Sequence, residues 1–220
     1  MSAASSPKVP SPKVPATPPA KLKLDEAHIK ELREGTWLWR VGFTASAHPL
    51  GWNKLRHYGP VPQQRFDPHP LPLGQHTDAG VMYTAQTPRT ALAEVYQDDR
   101  VIDRSEDSPQ LTGWKVTRDL QLVNLTTNWP IVNGGAASMQ MDDKTNTQPW
   151  ARAIEAQLGG HVDGLYHLSS MTGEPLVTLF TRVETFDVFP SLPGYSKLLS
   201  DPGAKSMVRQ AVKFTGYGIV

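Results

Sequence analysis

The sequence predicts an α+β fold, a compact mixed sheet with flanking helices. Three observations lead there. Short apolar or alternating runs bounded by glycine and proline recur from Thr36 to Phe180 and have strand character. Capped, helix-periodic segments fall between some of these runs but not others. No strand–helix unit repeats regularly, as a doubly wound sheet would require.

The elements follow in chain order. Ser6–Pro15 reads SPKVPSPKVP, a tandem five-residue repeat, and Ala16–Ala20 continues as ATPPA. Proline at this density removes backbone donors and favours extended polyproline II, with few apolar side chains to offset ordering. Residues 1–24 therefore read as a disordered tail, with a docking peptide for a proline-binding module as the alternative. Residues 25–220 read as one domain. Asp25 is placed to cap a helix through Arg33, stopped by Gly35. Thr36–Phe43 is an aromatic-rich strand interrupted by Arg40. His48–Asp78 is a long irregular stretch of the kind that carries function inside a compact domain.

Gly80–Ala85 reads as a buried strand. Thr87-Pro88 then opens a helix over Arg89–Tyr96, threonine as N-cap and proline in the first turn. Trp114–Leu125 alternates as a strand does, and Gly134-Gly135 and Asp142–Asn146 read as loop. Thr147-Gln148-Pro149 starts a helix, Trp150–Leu158, that ends at Gly159-Gly160. Gly164–Leu168 and Leu176–Phe180 are short buried strands, and Thr185–Phe189 is a third candidate.

Composition narrows the chemistry. The chain has 220 residues and no cysteine, which rules out disulfides, thiolate nucleophiles and cysteine-ligated zinc. The net charge of +1 is uneven: the first 24 residues hold Lys8, Lys13, Lys21 and Lys23 and no acid, leaving 18 basic against 21 acidic residues, or −3, in the body. A body of that sign is poorly suited to gripping a phosphate backbone. There is no apolar run of about 18 residues for a membrane span, and no secretory signal is expected from the N-terminal segment. These features suit a cytoplasmic protein.

Walker, Rossmann and nucleophile-elbow motifs are absent. His57, His69 and His76 share one loop region but match no zinc spacing, and read as solvated loop histidines with no metal. Asp163, His167 and Ser169 share a strand face. A hydrolytic triad normally draws its members from separate elements, which weighs against one here.

Charges embedded in apolar elements stand out more. Arg40 interrupts WLWRVGF, Arg65 begins RFDP, and Glu94 lies in the helix ALAEV after the strand GVMYTA. Such charges are rarely left unpaired, because desolvation disfavours them. One reading is a structural Arg–Glu pair. The other is a cleft for a doubly charged ligand, in which arginine forks meet pyrophosphate oxygens opposite an acid.

These segments, in order, resemble the RES domain, a family named for arginine, glutamate and serine. WRV at 39–41 and RFDP at 65–68 match its arginine motifs. GVMYTAQTPRTALAEV at 80–95 matches its tyrosine followed eleven residues on by glutamate, and DGLYHLSS at 163–170 its serine motif. The match departs at Met171, where family members often carry arginine. Either Ser169 or Ser170 could then be the functional hydroxyl, and position favours Ser169. The resemblance implies an ADP-ribosyltransferase-like fold and an NAD+-consuming toxin that cleaves the nicotinamide–ribose bond as a phosphorylase or glycohydrolase. Inorganic phosphate is then a possible co-substrate. Transfer of ADP-ribose to a protein is one alternative, and a non-catalytic nucleotide-binding or interaction module another. The resemblance further implies an Xre-type helix-turn-helix antitoxin as partner, a possible homodimer, and contact with nucleic acid only through the antitoxin. By the same resemblance Glu94 would stabilise the positive ribose and Arg40 and Arg65 would hold the pyrophosphate or phosphate. Tyr83 would stack on nicotinamide or its ribose, and Ser169 would hydrogen-bond the ribose or the nicotinamide amide.

Overall fold

The apolar runs pair into one eight-stranded mixed sheet in a computed structural model that describes residues 13–220. In chain order the elements begin with β1 (Ile29–Leu32), β2 (Trp37–Phe43) and the two-residue β3 (Tyr58–Gly59) and β4 (Gly74–Gln75). Then come β5 (Val81–Ala85), α1 (Pro88–Val95), β6 (Val101–Ile102), β7 (Pro109–Lys115), β8 (Leu120–Asn124) and α2 (Trp129–Val132). The chain continues through α3 (Lys144–Leu158), β9 (Gly164–Leu168), β10 (Pro175–Phe180) and α4 (Arg182–Thr185) to β11 (Tyr195–Leu198), α5 (Lys205–Thr215) and β12 (Gly218–Ile219). The main sheet runs β1-β8-β9-β10-β5-β2-β7-β11, and only β8 and β9 pair in parallel.

Side-chain alternation sets where the core and the cleft lie. On one face, Val81, Leu165 and Phe180 pack with Trp150, Ala151 and Ile154 of α3. Farther along that face, Trp39, Val41 and Ala85 pack with Leu92 of α1 and Val208 and Ala211 of α5. Met82, Val177 and Leu179 point the other way, into a separate cluster with Trp114 and Phe189. One face thus carries two helical covers, α3 at one end and α1 with α5 at the other. Tyr83 and Thr178, in register on adjacent strands, lie between them.

The capping signals at α1 are realised: Thr87 accepts from the Thr90 N–H at 3.3 Å, and Pro88 sits in the first turn. The N-terminal expectation differs. Only a short 3-10 turn, Glu26–His28, follows Asp25, and Ile29–Leu32 pairs with Leu120–Val123 as an edge strand. The open backbone groups along β8 outweigh local helix propensity there. Trp114–Leu125 is two strands broken at Val116–Asp119. Helix α3 begins before Trp150, because Asp143 caps it through Thr145 N–H at 2.8 Å, with Pro149 inside it. Thr185–Phe189 is no strand: it leaves the helical turn of α4, and the exposed Phe186 ring lies against Arg182.

Packing begins well before residue 25. Val14 and Leu22 are buried in the α3-side core, and Pro15 C=O accepts from Trp150 Nε1 at 2.8 Å. Leu22 N–H donates to Gln157, and Lys23 C=O accepts from Trp129 Nε1. From Lys13 onward the proline-rich segment is a strap on the body rather than a free tail. The first repeat and its neighbours lie outside the described residues.

Candidate active site

A cleft of about 400 Å³ opens on the shared face between the α3 cover and the α1–α5 cover. Its lining includes Arg40, Arg65, Tyr83 and Glu94. Four positions picked from sequence therefore meet in one cavity. Arg65 and Glu94 belong to different elements and face the same space.

Glu94 lies near the end of α1. Burial pushes its carboxyl above the ordinary range, while the Ser169 hydroxyl, the Arg65 charge and the Met171 N–H pull it back. Ser169 Oγ donates to Glu94 Oε1 at 2.5 Å and accepts from the Met171 and Thr172 N–H groups, each at 3.0 Å. Its one proton and both lone pairs are committed, and the residue is fully buried and outside the cleft lining. This geometry departs from the expected ligand contact, since Ser169 reaches the site through Glu94. Ser170 is exposed and has no such link, so Ser169 is the hydroxyl joined to the carboxylate.

Arg65 Nε and Nη1 donate to the Asp142 and Gln140 carbonyls at 3.0 and 2.9 Å. Among the described residues it has no carboxylate partner within ion-pair distance, and its charge is left toward the cleft. Arg40 alternates away from Trp39 and Val41, at the point where β2 and β5 part after the single pair Trp39–Ala85. Its Nη1 donates to the Trp52 and Lys54 carbonyls, and burial lowers its pKa to about 10, so it stays charged at neutral pH. Neither arginine forms the structural Arg–Glu pair that the sequence left open. Tyr83 stands on the floor, its hydroxyl enclosed without a hydrogen-bond partner among the described residues and its ionisation pushed far up by burial.

Two cationic lining residues escaped the sequence reading. Arg56 borders the cleft and pairs with Asp67 at 2.9 Å. Burial works against the Asp67 carboxylate, but hydrogen bonds from His69 and Val61 and the Arg56 charge hold it down at about 2. In RFDP the aspartate is thus an internal anchor for the loop that presents Arg65. Lys144 also lines the cleft, from the first turn of α3. The signal for both was cationic residues flanking RFDP and the Asp143 cap, weak without a third dimension.

The histidine and triad readings resolve separately. His69 is buried on Asp67 rather than solvated, while His57 pairs with Glu184 at 3.1 Å and His76 reaches the Pro72 carbonyl. Among the described residues no group of three or more His, Asp or Glu side chains is arranged to hold a metal. Asp163 is spent on Arg118, Arg182 and the Gln121 N–H. His167 bonds Thr178 at 2.9 Å, and burial holds it neutral with a pKa of about 3. Asp163, His167 and Ser169 face different partners and form no triad.

Comparison with known proteins adds two findings. The family model of the RES domain matches residues 37–192. A chain of the M. tuberculosis MbcT–MbcA toxin–antitoxin complex matches the fold with a TM-score of 0.55 at 16% identity, covering 83% of this chain and 93% of that one. No curated protein sequence matches. Among the described residues, no helix is long and apolar enough to cross a membrane.

Proposed function

The chain belongs to the RES domain family, and on that premise we propose that it is a toxin that consumes NAD+ by cleaving the nicotinamide–ribose bond. The observation that carries this reading is a partly buried carboxylate, Glu94, in a cleft also lined by Arg40 and Arg65, neither of which has a carboxylate partner among the described residues. Departure of nicotinamide leaves positive charge on the ribose. A carboxylate in a site shielded from water stabilises that charge more than one in solvent. In this reading Glu94 faces the ribose, or holds the attacking group against it. Arg65 and Arg40 take the pyrophosphate, and their remaining N–H groups would equally hold inorganic phosphate if the reaction is a phosphorolysis. Tyr83 gives the floor a flat, uncharged surface for the nicotinamide ring or its ribose.

Ser169 fixes the carboxylate from behind. The long loop 48–78, pinned by Asp67, presents Arg65 from the opposite side. The likeness in fold to a chain of a toxin–antitoxin complex supports a partner protein that restrains the activity, of the Xre type in the family reading. The reading places the protein in the cytoplasm with the NAD+ pool, and allows a homodimer.

The test is purified protein incubated with NAD+, with and without inorganic phosphate, and the products identified. Nicotinamide with ADP-ribose indicates hydrolysis. Nicotinamide with a phosphorylated ADP-ribose indicates phosphorolysis, and label carried onto a protein band indicates transfer. Glu94→Gln and Arg65→Ala are expected to abolish NAD+ loss with thermal unfolding little changed. Consumption at the wild-type rate by either variant would remove the assignment.

A further inference from the structure

Helix α1, which carries Glu94, has only eight residues. A helix that short has almost no stability of its own, so tertiary ties set its direction. Glu94 is six residues beyond Pro88, about 9 Å along the axis at about 1.5 Å per residue. A tilt of about 10° at the first turn would move the carboxylate by roughly 1.6 Å, and a displacement near 1 Å can cost about 100-fold in rate. Whatever holds the first turn therefore governs the site as strongly as what holds Glu94 itself.

The turn that joins β9 to β10 does this at both ends of α1. At its start, Ser169 holds the Glu94 carboxylate. At its end, Glu174 gathers the first turn: Oε2 accepts from Thr87 Oγ at 2.8 Å, from Arg89 Nε at 3.1 Å and from Thr90 Oγ, while Oε1 accepts from Arg89 Nη2. Thr172 links the two, lying 3.2 Å from Thr90 Oγ and accepting from the Glu174 N–H at 3.2 Å. The turn is closed on itself by Ser169 N–H to the Glu174 carbonyl, and by Gly173 N–H to the Ser169 carbonyl with Gly173 at φ +69°. The Arg89 guanidinium lies 4.2 Å from the Phe214 ring centre, so the clamp reaches α5 as well. Arg89 and the two threonine hydroxyls hold the Glu174 carboxyl down at about 2, so it is ionised at every working pH. None of Thr87, Arg89, Thr90, Thr172 or Glu174 lines the cleft.

We propose that Glu174, through Thr90 and Arg89, is a positioning residue for Glu94. The turn 169–174 acts as one clamp on both ends of α1, setting the carboxylate against the ribose. The proposal rests on the NAD+-cleaving reading for its effect on rate but not for its effect on the protein.

Thr90 is fully buried, and Thr90→Val keeps its shape while removing the hydroxyl. The expected result is a fall of about tenfold in kcat for NAD+ loss with KM within about twofold, recovered in Thr90→Ser; Glu174→Gln should fall similarly. The independent measurement is amide hydrogen exchange at Met171 and Thr172, whose N–H groups bond Ser169. It should quicken at least about tenfold in Thr90→Val and Glu174→Gln and stay near wild type in Thr90→Ser. A wild-type kcat in both variants, a loss confined to KM, or a Thr90→Ser as impaired as Thr90→Val would overturn the clamp. Should wild type itself consume no NAD+, the functional reading fails, and unchanged exchange at Met171 and Thr172 still decides against the clamp.

Discussion

Replacing Ser169 with alanine separates two roles for one hydroxyl. If it touched NAD+, its loss would weaken binding and raise KM. If it acts through Glu94, as its committed proton and lone pairs indicate, its loss leaves the cleft wall unchanged and disturbs only the carboxylate. A hydrogen bond to a charged group contributes roughly 1.5–3 kcal/mol. If all of it orients Glu94 at the transition state, the conversion of about 1.36 kcal/mol per tenfold gives a loss of about 10- to 150-fold in kcat. KM should move by less than about threefold, because an interaction felt only in the transition state leaves ground-state binding alone. The assay is initial-rate NAD+ loss over a range of NAD+ concentrations, run well below the unfolding temperature. That margin matters because the Met171 and Thr172 N–H groups lose their acceptor, at about 1–3 kcal/mol of stability for buried groups. A KM raised tenfold at wild-type kcat would refute the reasoning and return Ser169 to direct contact with the ligand.

Burial holds the Glu94 carboxyl above its ordinary value, so the acid limb of kcat/KM should lie above the usual glutamate range of about 4.3. As pH rises from there through the raised pKa, wild-type stability should fall relative to Glu94→Gln, because the buried carboxyl is charged at a cost. A limb at or below the ordinary value contradicts this placement. Asp67 has the opposite sign: lowered from 3.8 to about 2, it contributes about 2 kcal/mol above pH 4 that is lost as pH falls toward 2. Asp67→Asn should lose that acid slope in urea unfolding and leave Arg56 unpaired; an unaltered slope would show the anchor to be idle. Val14→Ala should cost about 2 kcal/mol, the loss expected from a fully buried valine. No change in unfolding midpoint would mean that the strap is not packed in solution.

The candidate site's residues carried local signals in the sequence, where parts of the surrounding fold did not. Arg40 and Glu94 stood out because a charge inside an apolar element demands an explanation, and Arg65 because it opens RFDP at the end of a long loop. Thr87-Pro88 marked α1 because capping is a local signal, readable without the rest of the chain. What stayed hidden depends on distant partners. Ile29–Leu32 is a strand only because β8 offers an open edge. Val14 is buried only because α3 provides a surface, and nothing in SPKVP encodes that surface. Helix α5 and strand β11 went unread although Gly216, at φ +73°, ends α5 as a left-handed cap and Met207, Val208, Ala211 and Val212 repeat at helical spacing.

The same distinction accounts for Ser169. Sequence position favoured the serine that bonds Glu94 without indicating that contact, which is decided by the turn 169–174 folding back on α1. Residues 81, 83 and 85 point to one face by strand alternation alone, and that much is local. Whether that face becomes core or cleft depends on how far apart its helical covers stand. Where α3 covers it, Val81 and Phe180 are fully packed; where α1 and α5 cover it, Ala85 is. Tyr83, between the two, packs against the edge of the α3-side core and lines the cleft. The cleft is the gap left by two covers that do not meet, and the residues that keep α1 at its distance from α3 decide whether Glu94 faces a ligand or a neighbour.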